Sequence, residues 1–351
     1  MYDCSKDVIA HHDDEVTLPQ SERTNMSNRR NANRDRLKKR LKETGKPAPI
    51  EFVSQGSYAM KTMVQHPDND YDIDDGVYFD KAVLVGDRGA EMSALQVRQM
   101  VRDAVDDGSF KTPPEVRKNC VRVYYLAGYH VDLPVYRRIT VKDGWGRETY
   151  YYELASSDWK RSDARDVTSW FEERNNALSP DTGNGRQVRR IVRQVKKYAR
   201  SRASWSGQIL SGFGITKLVT ECFHGNATRE DESLYYTMKA IRDRLKFNLV
   251  VEHPVTPGET ITSGNDDARA RFLRERLTEA IDSLAPLFDY NCTRKKALAC
   301  WDKVFATSYF SDRDEPKAAT GLMRAASVVP PAGVLAFPNA PRADDKPRGF
   351  G

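Results

Sequence analysis

The segment that most constrains the fold of this chain is a glycine-serine turn followed by two carboxylates at alternate positions. An apolar stretch that predicts a strand runs into Gln55, Gly56 and Ser57, which predict a tight turn at the start of a helix. Fifteen residues after Ser57, Asp72 and Asp74 alternate with apolar residues. On a strand, residues two apart point to the same face, about 6.5 Å from each other. The chain therefore predicts two carboxylates side by side on one surface of a sheet.

These residue types suit the chemistry of phosphates. Two neighbouring carboxylates can hold two Mg²⁺ ions about 3.5–4 Å apart, the arrangement used for in-line phosphoryl displacement. A turn that opens a helix offers backbone N–H groups, and here the Ser57 hydroxyl, to phosphate oxygens. Taken alone, Asp72 and Asp74 have the alternative interpretation of a solvated acidic turn. The two elements together, in this order, favour a nucleotidyltransferase active site.

A third carboxylate is expected on a later strand. A two-metal transferase uses a third acid to complete the coordination of the metal ion that activates the attacking hydroxyl. Asp132 alternates with Val131 and Leu133, so its carboxylate emerges on the face opposite the apolar set. An isolated strand Asp is more commonly a solvated residue. His130 shares the face of Asp132, and a structural role is favoured for it over one in orienting a metal ligand.

Length and composition fit a globular protein with two lobes. The chain has 351 residues, of which 39% are hydrophobic and 30% are charged. Its five cysteines form no Cys-x-x-Cys pair, which argues against a disulfide framework or a zinc ribbon and favours the reducing cytoplasm. No targeting segment and no apolar stretch that could span a membrane is expected.

The net charge of +6 is concentrated in two basic runs. Residues 22–46 hold ten Lys/Arg against three acids, and residues 186–202 hold eight against none. The simpler interpretation of such runs is two solvated helix faces. The functional interpretation is attraction of polyanions, and triphosphates are favoured over nucleic acid because no aromatic-interleaved RNA-binding pattern accompanies the charge.

The hydrophobic periodicity changes along the chain from strand-like to helical. We expect a flexible leader at 1–20, a core with an N-terminal helix at 21–162, a helical lobe at 163–317 and a flexible tail at 318–351. The core should contain strands at 50–53, 71–79, 121–126, 130–138 and 148–154, with helices at about 21–42, 58–64 and 91–106. The second lobe should contain helices at 166–175, 187–202, 212–223, 234–246, 267–287 and 293–305.

Two residues of the helical lobe are candidates for gripping a triphosphate. Lys197 lies in the second basic run, and Ser211 precedes a predicted helix. A lysine together with a helix-start serine could hold the β- and γ-phosphates. Separately, each has a simpler interpretation as a surface lysine and an ordinary N-cap.

The motifs together resemble the bacterial cGAS/DncV-like nucleotidyltransferases of the DNA polymerase β-like superfamily. The resemblance rests on residues 55–58, 71–76 and 130–134, and it is looser around Lys197 and Ser211. It implies an α+β nucleotidyltransferase core with a mixed sheet, a helical second lobe and an active site in the cleft between them. By position, Asp72, Asp74 and Asp132 would be catalytic metal ligands, and Gln55, Gly56, Ser57, Lys197 and Ser211 would bind nucleotide.

The resemblance also implies a function. Family members use Mg²⁺, with Mn²⁺ as a substitute, to join triphosphates such as ATP and GTP into cyclic di- or trinucleotides. The product activates a separate effector in anti-phage defence, and in some members a terminal residue, here Gly351, is joined to targets by a ubiquitin-transfer-like partner. A nucleic-acid activator is left open. The alternatives are another template-independent nucleotidyltransferase, acting on RNA, protein or a small molecule, and a non-catalytic nucleotide sensor.

Overall fold

The computed structural model describes residues 1–66, 71–86, 89–126 and 128–314. The predicted tail at 318–351, with Gly351, lies outside these residues. None of the helices in the described ranges has the combination of length and apolar character that would let it span a bilayer.

The predicted flexible leader is wrong, because residues 1–20 contain structure that packs on the second half of the chain. Helix α1 (Ser5–His11) is followed by a π-type turn at His12–Val16. Cys4 and Val8 are fully buried in the hydrophobic cluster of the helical half. The Cys4 N–H donates to Asp231 Oδ2 at 2.8 Å. Asp231 lies more than 200 residues from Cys4 along the chain, so the local composition of residues 1–20 did not reveal this contact.

The predicted mixed sheet is present in the first half of the chain. The described residues form eight strands: β1 (Glu51–Gln55), β2 (Asp72–Asp80), β3 (Glu115–Val116), β4 (Val121–Tyr124), β5 (His130–Leu133), β6 (Val135–Lys142), β7 (Glu148–Ala155) and β8 (Trp159–Arg161). Strand β2 lies in the middle, since Val77 pairs with Phe52 of antiparallel β1 and with Val135 of parallel β6. Strands β4 and β5 pair antiparallel, as expected for the predicted hairpin.

The single strand predicted at 130–138 is divided in two at Pro134. Proline lacks an N–H and cannot donate to a ladder. The register nevertheless continues across it, because β5 and β6 both run parallel to β2 with the same offset. The Pro134 carbonyl still accepts from the Val77 N–H at 2.8 Å. Asp132 therefore keeps the position beside β2 that the sequence predicts.

Three helices accompany the sheet: α2 (Gln20–Glu43), α3 (Gly56–Ala59) and α4 (Ala94–Val105). Helix α4 begins with a capping box formed by Ser93 and Gln96, and it buries one face in the hydrophobic cluster that also contains β2. Helix α3 is one short turn directly after β1, and it is shorter than the helix predicted at 58–64.

The second half of the chain is helical, and all six predicted helices are confirmed to within a few residues. They are α5 (Ala164–Leu178), α6 (Gln187–Ala199), α7 (Gly212–Cys222), α8 (Glu230–Phe247), α9 (Ala268–Leu284) and α10 (Arg294–Phe305), with α11 (Tyr309–Asp312) in addition. Their buried apolar residues form a second hydrophobic cluster, which also includes Met60 from the sheet half. The predicted domain boundaries at residues 162 and 317 stay predictions.

Candidate active site

The three predicted carboxylates come together at the point where β2 and β5 run side by side. Asp72 and Asp74 lie two residues apart on β2, and Asp132 of β5 is the direct parallel partner of Asp74. The intervening Ile73 and Val131 are fully buried on the opposite face of the sheet. The alternation of apolar and acidic residues thus places all three acids on one face.

An arginine that sequence analysis did not single out binds this acidic group. Arg122 of β4 donates from Nε and Nη2 to the two carboxylate oxygens of Asp132, each at 2.7 Å. Its Nη2 also lies 3.4 Å from Asp72 Oδ1. His130 Nδ1 lies 3.6 Å from the same Asp72 oxygen. The sequence contained a signal for this contact. Arg122 alternates with apolar residues on the first strand of the predicted hairpin, and Asp132 lies opposite it on the second strand.

The surroundings of Asp74 strongly disfavour its ionised form. Burial, followed by the negative charges of Asp132 and Asp72, raises its pKa from 3.8 to about 7, against an opposing effect of Arg122. The carboxylates therefore repel one another when all are ionised. A bound cation would relieve this repulsion.

The donor set fits a hard divalent cation in its chemistry, since carboxylate oxygens are the ligands that Mg²⁺ and Mn²⁺ prefer. In the present side-chain arrangement, no group of three or more His, Cys, Asp or Glu side chains within the described ranges converges closely enough to hold a metal ion. In the same arrangement, the Arg122 guanidinium takes both carboxylate oxygens of Asp132.

Gly56 brings the turn at the start of α3 against Asp74. Its φ of +60° lies in the left-handed region, which residues with a Cβ rarely adopt. A Cβ built on Gly56 would lie 2.1 Å from Asp74 Oδ2. Glycine is therefore required both for the backbone conformation and for the close approach.

Gln55 takes part in a hydrogen-bond network at the end of β1, and its predicted contact with the nucleotide stays a prediction. Its side chain is only 3% exposed. Its amide nitrogen donates to Tyr78 Oη at 2.9 Å, and its amide oxygen accepts from Tyr136 Oη at 3.1 Å. The side-chain amide thus positions the end of β1 against β2 and β6.

A cavity of about 410 Å³ lies in front of these residues, between the sheet and the helical half. Asp72 and Asp74 line it together with Gly56 and Ser57, whereas Asp132 is covered by Arg122. The opposite wall comes from α5, α6 and α7 and includes Ala164, Val167, Lys196, Arg200, Gly212 and Phe213. Carboxylates on one wall and cations on the other can hold a metal-bound polyphosphate between them.

The lysine of this wall is Lys196 and not the predicted Lys197. Lys196 Nζ donates to Thr62 Oγ1 at 2.9 Å, and burial, then the charges of Arg200 and Arg193, lower its pKa to about 7. The next residue along a helix points about 100° away. Lys197 accordingly lies outside the cavity lining, where burial lowers its pKa and Glu15 opposes that effect.

Ser211 is the N-cap of α7, as its simpler interpretation predicted. Its hydroxyl accepts from the Gly214 N–H at 3.2 Å. The two residues that follow it, Gly212 and Phe213, line the cavity. The helical half therefore faces the cavity through Lys196 and Gly212, each one residue from the predicted Lys197 and Ser211, and the predicted triphosphate contact stays a prediction.

Comparison with known proteins shows that the segment carrying this site is similar to a known family. Residues 50–136, which include all three acids and the Gly-Ser turn, match the family described as Cyclic GMP-AMP synthase DncV-like, nucleotidyltransferase domain. This match confirms the resemblance predicted from the motifs, and it confirms a nucleotidyltransferase at the level of this domain.

Solved structures resemble nearly the whole described chain. Escherichia coli DncV bound to 3′-deoxy GTP is 16% identical over 84% of this chain and 93% of its own, with a TM-score of 0.64. Vibrio cholerae DncV cyclic AMP-GMP synthase with the linear intermediate 5′ pppA(3′,5′)pG is 15% identical over 83% and 91%, with a TM-score of 0.63. E. coli MS115-1 CdnC with ATP is 16% identical over 87% and 98%, with a TM-score of 0.61. At these identities the likeness establishes the fold and confirms the predicted α+β architecture.

Proposed function

We propose, from the premise that residues 50–136 form a DncV-like nucleotidyltransferase domain, that this protein joins nucleoside triphosphates into a cyclic oligonucleotide and releases pyrophosphate. The observation that carries the proposal is the meeting of Asp72, Asp74 and Asp132 on one sheet face beside the Gly56 turn. This arrangement unites metal-binding oxygens with a phosphate-holding turn, as nucleotidyl transfer requires.

Each residue has a role that follows from its position. Asp72 and Asp74 would hold two Mg²⁺ ions, with Mn²⁺ as a substitute. Asp132 would complete the coordination of the ion on the side of the attacking ribose hydroxyl. When bound, such ions activate the hydroxyl and neutralise charge on the phosphates. For Asp132 to take part, Arg122 has to release it, because the guanidinium takes both of its oxygens in the present arrangement.

The triphosphate would lie between the two walls of the cavity. On one side, Gly56 and Ser57 line the cavity, and the N–H groups of the α3 turn and the Ser57 hydroxyl would donate to phosphate oxygens. On the other side, Lys196 and Arg200 would add positive charge. The ribose of one nucleotide can then supply the hydroxyl that attacks the α-phosphate of the other, and pyrophosphate leaves.

Cyclisation is supported by a relative and not by the cavity alone. The V. cholerae DncV structure with a linear pppA(3′,5′)pG intermediate belongs to a cyclic AMP-GMP synthase of the same fold. A linear dinucleotide that keeps its triphosphate can rebind in the opposite orientation. Its free ribose hydroxyl can then attack its own α-phosphate and close the ring. We extend this sequence of transfers to the present chain: two transfers close a cyclic dinucleotide, three close a cyclic trinucleotide, and each releases one pyrophosphate.

The product would serve as a second messenger in anti-phage signalling, acting on a separate effector protein in the cytoplasm. Conjugation of Gly351 by a ubiquitin-transfer-like partner stays a prediction. Because Gly351 is remote in sequence from the acids, its deletion is expected to leave nucleotide synthesis unchanged and to affect only covalent attachment.

The decisive experiment is product analysis. Purified protein is incubated with all four labelled triphosphates and Mg²⁺ or Mn²⁺, treated with phosphatase, and analysed by mass spectrometry. A phosphatase-resistant cyclic oligonucleotide supports the proposal, with an Asp74→Asn variant as the inactive control. Linear oligonucleotide alone, or nucleotide attached to RNA, protein or a small molecule, would identify the alternative class of transferase.

The structure weakens the motivation for an RNA substrate. That alternative depended on the basic run at 186–202 forming an exposed surface that binds polyanions. Instead, Arg189, Arg190, Arg193 and Lys196 are each at most 8% exposed. Arg190 forms a buried ion pair with Glu230 at 2.9 Å. These side chains therefore do not form the exposed basic surface that an extended nucleic-acid backbone would follow.

A further inference from the structure

The basic run on α6 makes a regular set of contacts with the segment that follows the Gly-Ser turn. Arg189 Nε donates to the Met60 carbonyl at 3.0 Å, and Arg193 Nε donates to the Lys61 carbonyl at 2.8 Å. Lys196 Nζ reaches the Thr62 carbonyl at 3.3 Å. Positions 189, 193 and 196 have the i, i+4, i+7 spacing of one helix face. Three basic side chains therefore donate to three successive carbonyls.

This contact joins the two halves of the protein at the active site. Met60 is 3% exposed and belongs to the hydrophobic cluster of the helical half, although it follows α3 of the sheet half. The segment is also tied back to α3, since the Thr62 N–H donates to the Ser57 carbonyl at 2.8 Å. Whatever fixes Met60 and Thr62 consequently fixes the helix turn that carries Ser57.

The backbone at this contact is held in a disfavoured conformation. Lys61 has a φ of 54°, in the left-handed region that residues with a Cβ rarely adopt. Such a conformation persists where surrounding contacts determine it, and these residues cluster at ligand-binding sites. The Lys61 carbonyl is the one that accepts from Arg193.

Arg193 is placed where solvation of its charge is poor, so its bonds to the segment matter. It is 8% exposed, and burial, then the charges of Arg189 and Arg23, lower its pKa to about 10. Besides the Lys61 carbonyl, Arg193 contacts His12 Nε2 at 3.4 Å. Burial lowers the pKa of His12, which keeps the ring neutral and able to accept. Arg189 additionally pairs with Glu172 of α5.

We propose that Arg189 and Arg193 are positioning residues that clamp residues 60–62 and thereby hold the Gly56-Ser57 turn in its triphosphate-binding geometry. The consequence for triphosphate binding rests on the proposed function, whereas the clamp itself does not. The arginines touch no reacting atom. They act through the backbone carbonyls, so their loss loosens the turn while the three acids stay in place.

The test compares Arg193→Met with Arg202→Met as a matched control. Arg202 lies just beyond the C-terminal end of α6, and it also donates to two carbonyls, Val304 at 2.7 Å and Lys303 at 2.6 Å. Those partners lie within the helical half and far from the turn in sequence. Both variants lose arginine-carbonyl hydrogen bonds, but only Arg193→Met releases the clamp. An Arg193→Lys variant keeps the charge and most of the volume in case the methionine variant fails to fold.

Two readouts separate the clamp from a general loss of stability. In nucleotide-free protein, amide hydrogen exchange over residues 57–62 should accelerate about tenfold in Arg193→Met, remain at the wild-type rate in Arg202→Met, and be intermediate in Arg193→Lys. In steady-state synthesis, Arg193→Met should raise KM for triphosphate about tenfold and change kcat less than KM.

The outcomes distinguish the two claims. Unchanged exchange over 57–62 in Arg193→Met, or equal acceleration in Arg202→Met, would overturn the clamp whatever the enzyme does. Faster exchange with an unchanged KM would overturn the link between the clamp and triphosphate binding. Absence of any synthesis by the wild-type protein would count against the proposed function and leave the exchange result to decide the clamp.

Discussion

Replacing Asp74 by asparagine should inactivate the protein and, at alkaline pH without metal, make it more stable. Burial and the charges of Asp132 and Asp72 raise the pKa of Asp74 from 3.8 to about 7 in the folded state. The folded protein therefore holds this proton more tightly than the unfolded chain does. Between about pH 4 and pH 7 the contribution of Asp74 to the free energy of unfolding falls as pH rises, and above pH 7 the full cost of the buried charge remains.

The size of this destabilisation follows from how far the pKa of Asp74 is raised. A rise of about 3 pKa units, at about 1.4 kcal/mol per unit, corresponds to about 4 kcal/mol of destabilisation by the ionised Asp74 above pH 7. Asparagine resembles the protonated acid in shape and carries no charge. Asp74→Asn should consequently gain up to about 4 kcal/mol over wild type at pH 8 and close to nothing at pH 4.5.

Urea unfolding in EDTA at pH 4.5 and pH 8 measures both values. Asp75→Asn is a matched control, because Asp75 is the next residue along β2, is fully buried, and accepts from Arg34 Nε at 2.7 Å. Breaking that pair should destabilise the protein at pH 8. Added Mg²⁺ should then stabilise wild type and shrink the advantage of Asp74→Asn. An Asp74→Asn variant no more stable than wild type at pH 8, or equally favoured at both pH values, would refute the reasoning.

Two further substitutions test the turn and the cationic wall. Gly56→Ala should cost more than the about 1–2 kcal/mol expected for a left-handed alanine and should abolish pyrophosphate release, since its Cβ would lie 2.1 Å from Asp74 Oδ2. Gly45→Ala, with a φ of +64° and no atom within 4 Å of its Cβ, should show only the backbone cost in urea unfolding, and equal effects of the two would contradict the close approach. Lys196→Met should raise KM for triphosphate about tenfold in a steady-state assay, whereas Lys197→Met should not. A larger effect at Lys197 would restore the original assignment.

Much of the sheet half could be predicted because its information is local. The alternation around Asp72 and Asp74 fixes which face each residue takes, and the same rule placed Asp132 correctly despite the break at Pro134. The Gly-Ser turn was recognisable because Gly56 has a conformation that other residues avoid. Patterns of period two and the needs of a tight turn can both be recognised in a few residues.

The features that sequence analysis missed depend on partners distant along the chain. Helix α1 is stabilised by Asp231 and by Arg294, whose Nη2 lies 2.9 Å from Asp7 Oδ1. The choice between Lys196 and Lys197 depends on the rotation of α6 against the turn, which a local pattern does not determine. The basic run looked like a solvated surface or a polyanion-binding site because several of its partners are backbone carbonyls, and these have no signature in a sequence.

The measurement that tests the central claim most directly is pyrophosphate release by Asp132→Asn compared with wild type. Asp80→Asn serves as the control, since Asp80 of β2, like Asp132 of β5, lies on a strand of the sheet and accepts from an arginine of a neighbouring strand, Arg138 Nη2, at 2.8 Å. With triphosphates and Mg²⁺, Asp132→Asn should lose at least about a thousandfold in rate, because metal-centred charge stabilisation is worth several kcal/mol, while its circular dichroism stays native. Asp80→Asn should retain activity. A folded Asp132→Asn protein that releases pyrophosphate at the wild-type rate would contradict a transfer centre built from these three acids.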